Sequence, residues 1–338
     1  GIYQKMTDEV KPFVVTFEED GQRLDKWINF HFNHVSKIMM EKLCRTGQIR
    51  VNSSRVKPNF KLIENQIIRI PNFIRKKDQK NDKFLTKKKE QLFNKIKKSI
   101  VYEDEYFFIF NKPFGLAVQG GSKLGPIHLD GILPFFSERD YPIPKLVHRL
   151  DKDTSGILVV AKTPKSASAF SKLMIERRIK KSYWALVNQS IKHKTGILYS
   201  PQKDESVLKK NIIYKYNLNK DYLNAKFYFL EAEDKEMVST YKKLKVNNEN
   251  VSLLNLFAVT GRKHQLRKQL AAIGYPIIGD KKYTIKSQLV TDNGKEKLQL
   301  HARGIIFQNP ISGKLINVKC PPPVHMKKFL HVDEIDQF

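Results

Sequence analysis

The run of apolar residues at 157–161 constrains the fold of this chain more than any other part of its sequence. These residues (ILVVA) are mostly β-branched and lie between Gly156 and Pro164, a pattern typical of a buried strand. Asp151 precedes the run in a turn, where a rigid element could hold its carboxylate as a covalent nucleophile or general acid/base. The alternative is an aspartate that only bends the turn, and composition alone favours it because Asp is common in turns.

Six short segments beyond residue 100 define the chain further. They are 111–116 (NKPFGL), 148–156 (HRLDKDTSG), 181–187 (KSYWALV), 260–267 (TGRKHQLR), 276–280 (PIIGD) and 300–302 (LHA) with Phe307 and Pro310. In kind and order they resemble the RluA-type pseudouridine synthases, which isomerise uridine to pseudouridine in RNA. Six segments in one order are far more specific than any single motif. The resemblance implies that Asp151 is the nucleophile.

The charge balance favours a polyanionic partner. Lys and Arg outnumber Asp and Glu by 62 to 34 in 338 residues, which gives a formal net charge of +28. The alternatives are a lysine-biased composition or simple solubility. No apolar run approaches the roughly 20 residues that a membrane span needs, so we predict no membrane association. Cys44 and Cys320 are too few for a disulfide framework or a thiolate metal cluster, and we predict buried cysteines and no metal.

Residues 1–74 contain a lead-in followed by the pattern of a small α/β module. Apolar residues at helical spacing predict a first helix over 24–32. Ser36 is a favourable N-cap for a second helix that ends at Gly47. We expect Ile38, Met39 and Leu43 to form the buried side of this second helix.

Two short strands are predicted at 49–51 and 68–70, where apolar and polar residues alternate. This stretch resembles the RNA-binding domain named after ribosomal protein S-four. The resemblance implies that Arg45, Arg50 and Lys57 face RNA phosphates. Ordinary solvated surface charge is the alternative for each of these residues.

Residues 75–98 are predicted to be a basic linker. They carry eleven Lys or Arg residues, and a run of like charge repels itself, so we expect a flexible segment. Leu85, Leu92, Phe93 and Ile96 predict only a short helix near its end. We interpret the linker as an electrostatic tether that raises the local RNA concentration, and the alternative is a tether without contacts.

Residues 99–325 are predicted to form the catalytic domain, with 326–338 as a C-terminal tail. Strands and helices interleave without a regular βαβ repeat, so the predicted fold class is α+β with a mixed, largely antiparallel sheet. The resemblance implies the same fold. The predicted strands lie at 106–111, 157–161, 182–188, 225–231, 251–260 and 315–318, and the predicted helices lie at 166–177 and 262–273.

The reaction that the resemblance implies needs little chemical equipment. The bond between ribose and the uracil nitrogen breaks, the base turns, and a bond to carbon forms, so nothing is oxidised or imported. We therefore expect no cofactor. A carboxylate can attack the anomeric carbon or stabilise an oxocarbenium-like transition state, as in glycosidases. An acylal adduct and a glycal intermediate both remain open.

The resemblance assigns two partners to Asp151. Arg267 would form an ion pair that keeps this carboxylate charged in a partly dry pocket. Tyr183 would stack on the target uracil and, in the glycal route, take a proton from the neighbouring ribose carbon. The alternatives are a surface arginine on an amphipathic helix and a core aromatic residue in a strand.

Substrate contacts are also implied by the resemblance. Arg149 would help to hold the target nucleotide out of its stack, as base-acting enzymes must. His148 would organise the turn and border the substrate. Arg262, His264 and Gln265 complete the predicted substrate-binding set. The sequence departs from the family pattern at Lys263, at Lys268 with Gln269, and at Cys320, which puts individual RNA contacts in doubt more than the reaction.

Segments 115–122 and 128–131, together with the N-terminal module, resemble the bacterial RluC-type branch, which modifies large-subunit ribosomal RNA. This implies a monomeric cytoplasmic enzyme, with an organellar matrix as the alternative location. A tRNA or organellar RNA target remains open. So do two other classes: a non-catalytic RNA-binding factor for ribosome assembly, and an RNA glycosidase that releases uracil.

Overall fold

The computed structural model describes residues 12–32, 35–75, 79–120, 127–137, 142–200, 209–231, 235–244, 249–284 and 295–330, with the backbone alone at 75 and 79–85. These residues belong to two compact units. The first falls within Gly1–Asn94, Gly131–Lys145 and Lys162–Lys165, and the second within Lys95–Asp130, Leu146–Ala161 and Ser166–Phe338. No helix in the described part of the chain has the length and apolar character that crossing a bilayer requires.

The first unit is built on a small antiparallel sheet. Its elements are β1 (Phe13–Val14), α1 (Leu24–His31), α2 (Lys37–Arg45), β2 (Arg50–Val51), β3 (Ser54–Arg55), β4 (Ile67–Arg69) and α3 (Asn72–Arg75), with a 3-10 turn at Phe17–Glu19. The strand order is β1-β4-β2-β3. The core of this unit contains Trp27 from α1, Leu43 from α2 and Ile68 from β4. The predicted helices and short strands of this region are therefore present.

The buried side of α2 differs from the prediction. The Ser36 hydroxyl accepts a hydrogen bond from the backbone N–H of Met39 at 3.2 Å, so the predicted cap is present. Ile38 is 81% exposed, however, and the buried residues of this helix are Met40, Leu43 and Cys44. Both apolar sets follow helical spacing, and the packing of α2 on α1 and the sheet selects the second one.

The basic segment before the second unit is helical, which corrects the prediction of a flexible linker. A single helix, α4, spans Gln79–Lys97. Ile96 is buried, while the described lysines Lys87, Lys88 and Lys95 are exposed. One apolar side with basic residues around the rest suits an amphipathic helix, and its packing outweighs the repulsion between lysines.

The second unit is organised around one large sheet. Its strands are β5 (Ile100–Glu103), β6 (Phe107–Lys112), β7 (Lys145–Leu146), β8 (Ser155–Ala161), β9 (Lys180–Asn188), β10 (Thr195–Ser200), β11 (Lys226–Phe229), β12 (Met237–Leu244), β13 (Val251–Ala258), β14 (Leu300–Gln308) and β15 (Leu315–Lys319). The main order is β11-β10-β12-β13-β9-β14-β8-β6-β5, and β15 pairs with β14. Only the β10–β11 and β8–β14 pairs of this order are parallel. The predicted mixed, largely antiparallel sheet is confirmed.

The remaining helices lie between or after these strands in the sequence. They are α5 (Leu129–Ile132), α6 (Pro164–Ile175), α7 (Lys209–Lys215), α8 (Gln265–Ala272) and α9 (Val324–Lys327), with 3-10 turns at Leu133–Phe136 and Lys220–Asn224. In the predicted C-terminal tail, Met326 and Leu330 are buried in a cluster with Trp184. This part of the tail therefore contributes to the core, and 331–338 lie outside the described residues.

Strand β8 is an interior strand of the sheet, between β14 and β6, and it follows the segment of Asp151. All seven of its residues are buried, as the apolar run predicts. Gly156 has φ +108°, and a Cβ atom there would lie 2.2 Å from the carbonyl oxygen of Ala302 on β14. A glycine is therefore required where β8 and β14 approach each other.

Candidate active site

Asp151 lies in the turn that enters β8. Its backbone carbonyl accepts a hydrogen bond from the N–H of Thr154 at 3.1 Å, which closes the turn. Its side chain is 38% exposed, so solvent and a ligand can reach the carboxylate. The buried strand that follows this turn holds the backbone of the turn in place.

Lys112 ties this turn to the segment at the end of β6. Its ammonium donates to the carbonyl oxygens of Pro113 at 3.0 Å, Leu116 at 2.9 Å and Lys152 at 3.1 Å. Burial lowers the pKa of Lys112 to about 7, while the charges of Asp153 and Asp151 oppose this shift. No role was predicted for Lys112 from the sequence, although a lysine at the end of an apolar strand was a signal that could have indicated one.

His148 braces the other side of the turn. Its Nε2 accepts a hydrogen bond from the N–H of Val159 in β8 at 2.8 Å, and its ring stacks on Phe170 with centroids 6.1 Å apart. Burial lowers the pKa of His148 well below its usual value, so the ring is neutral. These contacts suit the predicted role in organising the turn, and a substrate contact stays a prediction. Arg149 is exposed and stays a predicted nucleotide contact.

Arg267 lies between two carboxylates and pairs mainly with the one that was not predicted. Its Nε and Nη2 each donate to Asp280 at 2.8 Å, while its Nη1 lies 3.9 Å from Asp151 Oδ2. The predicted ion pair with Asp151 is thus the longer contact. Asp280 was quoted only as part of a motif, and its partner Arg267 lies 13 positions earlier, too distant for sequence spacing to reveal.

Asp280 is a fully buried carboxylate that organises its surroundings. Besides Arg267, it accepts hydrogen bonds from the backbone N–H groups of Lys282 at 2.9 Å and Tyr283 at 3.0 Å. Burial raises the pKa of Asp280. These hydrogen bonds and the charge of Arg267 lower the pKa by more than burial raises it, so the pKa lies below its usual value. The hydrogen bond to Asp280 in turn raises the pKa of Arg267. The guanidinium is therefore a fixed cation.

Tyr183 lies on β9, between Leu256 of β13 and Ala302 of β14. Burial, assisted by the charge of Asp151, raises the pKa of Tyr183 to about 12. The hydroxyl is therefore protonated at neutral pH. The ring is partly buried against the core of the sheet, so both the core aromatic and the predicted substrate platform have support from its position.

Gln265 is used within the protein, which differs from the predicted substrate contact. Its carbonyl oxygen accepts from the Thr260 hydroxyl at 2.7 Å and from the N–H of Arg262 at 3.1 Å. Its amide nitrogen donates to the carbonyl of Val238 at 2.9 Å and to Ser239 Oγ at 2.7 Å. Gln265 therefore anchors the start of α8. Arg262 itself is exposed and stays a predicted substrate contact.

His264 completes the surroundings of Asp151. Its Nε2 lies 3.4 Å from Asp151 Oδ2, and its Nδ1 lies 2.9 Å from the hydroxyl of Tyr283. The residue has φ +55°, in the left-handed region that non-glycine residues seldom adopt. Burial lowers the pKa of His264, while the charge of Asp151 opposes the shift.

The predicted RNA-contacting residues lie in the first unit. Arg45 ends α2 and Lys57 follows β3, and both are exposed. Arg50 on β2 is in register with Arg55 on β3 and Arg69 on β4, so three arginines form a row across the sheet. Like charges directly opposite each other are destabilising in a sheet, which makes the row a candidate anion contact. Arg55 and Arg69 were not predicted, because strand register is not visible in the sequence.

Comparisons with known proteins indicate the family of this chain. The family model of RNA pseudouridylate synthase matches residues 106–272. Ribosomal large subunit pseudouridine synthase C of Buchnera aphidicola subsp. Acyrthosiphon pisum (strain APS) is 32% identical, over 96% of this chain and 99% of the relative. The protein of the same name from Pasteurella multocida (strain Pm70) is 31% identical, over 95% and 93%. The structure of human RNA pseudouridylate synthase domain containing 4 shares the fold, with a TM-score of 0.54 at 23% identity over 72% of this chain and 96% of that one.

The chain therefore belongs to the RNA pseudouridylate synthase family, and its class of enzyme is RNA pseudouridine synthase. Within this family, relatives of 28% to 33% identity over most of the chain carry the name ribosomal large subunit pseudouridine synthase C. The predicted RluA-type family and RluC-like branch are thus confirmed.

Proposed function

We propose that this protein converts specific uridines of large-subunit ribosomal RNA to pseudouridine, with Asp151 as the nucleophile and without a cofactor. One observation carries the role of Asp151. Its partly exposed carboxylate is faced by Arg267 and His264 on a single oxygen, Oδ2, while no hydrogen bond from the described residues reaches Oδ1. The names of the relatives support the choice of RNA.

The proposed reaction is balanced without any external group. The bond between C1′ of the ribose and N1 of uracil breaks, and its electron pair leaves with the base. The base turns and C5 bonds to C1′, after which C5 loses its proton and N1 gains one. In the acylal route Asp151 attacks C1′ as the N1 bond breaks, and its carboxylate leaves again when C5 bonds to C1′. In the glycal route C2′ loses a proton to a base when the N1 bond breaks, and it regains one when C5 bonds to C1′.

Arg267 and Tyr183 have distinct parts in this proposal. Asp280 fixes the guanidinium of Arg267, whose positive charge faces the carboxylate of Asp151 at 3.9 Å. The raised pKa of Tyr183 keeps its hydroxyl protonated in the free protein, so the basic phenolate is scarce, which favours a stacking role. Proton transfer to Tyr183 in the glycal route would require an onward acceptor.

The first unit is proposed to bind the RNA that surrounds the target uridine. The row of Arg50, Arg55 and Arg69 and the basic helix α4 supply positive charge suited to successive phosphates. Arg149 is proposed to hold the target nucleotide out of its stack. We further propose an S-four-like character for this unit, and a monomeric enzyme in the bacterial cytoplasm.

The test compares the wild-type protein with Asp151→Asn, which keeps the shape of the side chain and removes its charge. Purified large-subunit ribosomal RNA is treated, and its nucleosides are identified by mass and retention. Unchanged mass with pseudouridine formed by the wild type alone supports the proposal. Release of free uracil would indicate a glycosidase. RNA binding without any new nucleoside would indicate an assembly factor, and full activity of the variant would exclude Asp151 as nucleophile.

The RNA target needs a separate experiment. Pseudouridine is mapped in ribosomal RNA and tRNA from cells with and without the gene. Loss of specific sites in the large-subunit RNA is the expected result. Loss confined to tRNA would contradict the proposed substrate and leave the proposed chemistry intact.

A further inference from the structure

His264 makes contacts through both ring nitrogens, and the two contacts have different chemical requirements. Nε2 faces Asp151 Oδ2 at 3.4 Å, and Nδ1 faces the hydroxyl of Tyr283 at 2.9 Å. An ionised carboxylate can only accept hydrogen bonds, whereas a hydroxyl can donate or accept. A neutral imidazole has one donor and one acceptor nitrogen. The pairing that satisfies all three groups has the proton on Nε2 and the Tyr283 hydroxyl donating to Nδ1.

The surroundings of the ring favour its neutral form. Burial is the largest influence, and it lowers the pKa of His264. The charge of Asp151 raises this pKa, whereas the nearby Arg267, Lys282 and Lys263 lower it. The ring is therefore surrounded mainly by cations, which disfavours a further positive charge.

Tyr283 contacts the two groups that face Asp151. Its ring lies edge-on to His264 with centroids 5.5 Å apart, and the guanidinium of Arg267 lies 5.2 Å from its centroid. The backbone N–H of Tyr283 is bound by Asp280, which also binds Arg267. The left-handed backbone of His264, which costs free energy, holds the imidazole in this place.

We propose that His264 and Tyr283 are positioning residues that, together with Arg267, anchor one oxygen of Asp151 and so select the other oxygen, Oδ1, for the reaction. This inference rests on the proposed role of Asp151. The 3.4 Å separation is long for a hydrogen bond, and catalytic hydrogen bonds often tighten when substrate binds. Without the contacts from His264 and Arg267, the Asp151 carboxylate could rotate about its Cβ–Cγ bond and present either oxygen, or neither, to the ribose.

Two substitutions of His264 separate a donor from a space-filling side chain. In His264→Gln the amide nitrogen lies near the position of Nε2 and can still donate to Asp151. His264→Met has similar length without a donor, and both are unbranched residues at the same left-handed position. We expect the single-turnover rate at saturating RNA to fall about 100-fold in the Met variant, because losing one positioned hydrogen-bond donor lowers a rate by about that factor. In the Gln variant, which keeps a donor, we expect a decrease of about tenfold or less. The RNA concentration for half-maximal rate should be similar in both.

Tyr283→Phe tests the hydrogen bond between the Tyr283 hydroxyl and His264 Nδ1. It keeps the ring beneath Arg267 and removes only the hydroxyl that orients the imidazole. The expected rate lies between those of the two His264 variants. A rate equal to that of the wild type would remove Tyr283 from the proposal.

A second measurement does not depend on activity. Nitrogen NMR of the full-length protein labelled in histidine distinguishes protonated from unprotonated ring nitrogens, and the His264→Gln spectrum identifies the signals of His264. We expect Nε2 protonated and Nδ1 unprotonated in the wild type, and a mixture of tautomers in Tyr283→Phe. A proton on Nδ1 in the wild type would overturn the inference.

The outcomes separate this inference from the proposed function. Equal losses in the Gln and Met variants, with weaker RNA binding, would make His264 a substrate contact and would overturn the positioning role. If the wild type forms no pseudouridine in any ribosomal RNA, the proposed function fails, and the predicted tautomer would still support the anchored geometry.

Discussion

Acid should destabilise this protein through His301, at the pair of strands that supports the active site. His301 is fully buried on β14. Its Nδ1 lies 2.9 Å from Ser155 Oγ at the start of β8, and its Nε2 lies 3.1 Å from the carbonyl of Cys320. A carbonyl only accepts, so Nε2 carries the proton and Nδ1 accepts from the serine hydroxyl. A second proton would place a positive charge in this buried position, beside Arg303.

The magnitude follows from the pKa of His301. Burial lowers this pKa from 6.5 to about 4, the carbonyl of Cys320 opposes the shift, and the charge of Arg303 reinforces it. Because the folded pKa is below the unfolded one, the unfolded chain binds more protons between these values. The contribution of neutral His301 to the free energy of unfolding is therefore fully present above pH 6.5, and it is lost as the pH falls towards 4. Linkage gives a loss of about 2 kcal/mol by pH 5 and about 3 kcal/mol by pH 4.

The assay is urea unfolding of the wild type and His301→Gln at pH 7.5 and pH 5. Glutamine can still donate to the Cys320 carbonyl but does not titrate. His148, His264 and His325 also have lowered pKa values, so the wild type will lose more than the His301 share. The difference between the two proteins isolates His301. We expect the variant to be less stable at pH 7.5 and to lose about 2 kcal/mol less on acidification.

Equal losses of unfolding free energy in the two proteins would refute this reasoning. That result would mean that His301 is already protonated at neutral pH, or that the strand pair opens at no cost when it becomes protonated. The slope of unfolding free energy against urea must also match in the two proteins, because a changed slope would indicate a different unfolded state.

Three further predictions concern packing, charge and RNA. Gly156→Ala should cost more than about 4 kcal/mol, because the new Cβ would collide with a backbone carbonyl on β14 and φ is unfavourable. Asp280→Asn should lower stability by about 3 kcal/mol, since Arg267 would lose its buried partner, and should slow the reaction. The double variant Arg55→Gln with Arg69→Gln should reduce the slope of log affinity against log salt by about 1.5, because two phosphate contacts are lost.

Two of these predictions have a matched control variant. Gly261→Ala should have little effect on urea unfolding, since a Cβ there meets no atom within 4 Å. For RNA binding, Lys192→Gln with Lys194→Gln removes two exposed charges from the second unit. An equal change of salt slope in both double variants would mean that the arginine row is not a specific contact. A stable Asp280→Asn protein with full activity would contradict the role given to the Arg267 pair.

The sequence identified elements whose burial is encoded locally. The run before Pro164 is a fully buried strand because each residue is apolar. The position of Asp151, shortly before this strand, was evident from the sequence alone. From the segments that resemble the family, Tyr183 and Arg267 were predicted to belong to the same site as Asp151. Their roles in the reaction stay predictions, because residue types alone do not report the chemistry.

What the sequence missed depends on contacts between distant residues. Strand β14 was not predicted as a strand, since buried His301 and Arg303 interrupt its apolar pattern and hydrogen-bond to residues that are distant in the sequence or outside the strand. The preference of Arg267 for Asp280 over Asp151 follows from position in space. The helix phase of α2 likewise required the packed core.

The strand order has a consequence for how this enzyme is made. Strand β14 lies between β8 and β9 in the sheet, although it follows both of them in the sequence. Strand β8 begins shortly after Asp151, and β9 carries Tyr183. A ribosome delivers β8 and β9 long before β14, and chains fold as they emerge. During that interval each strand has an open edge that can recruit other chains. The two halves of the sheet join only when β14 arrives, so the surroundings of Asp151 are completed long after Asp151 itself has been synthesised.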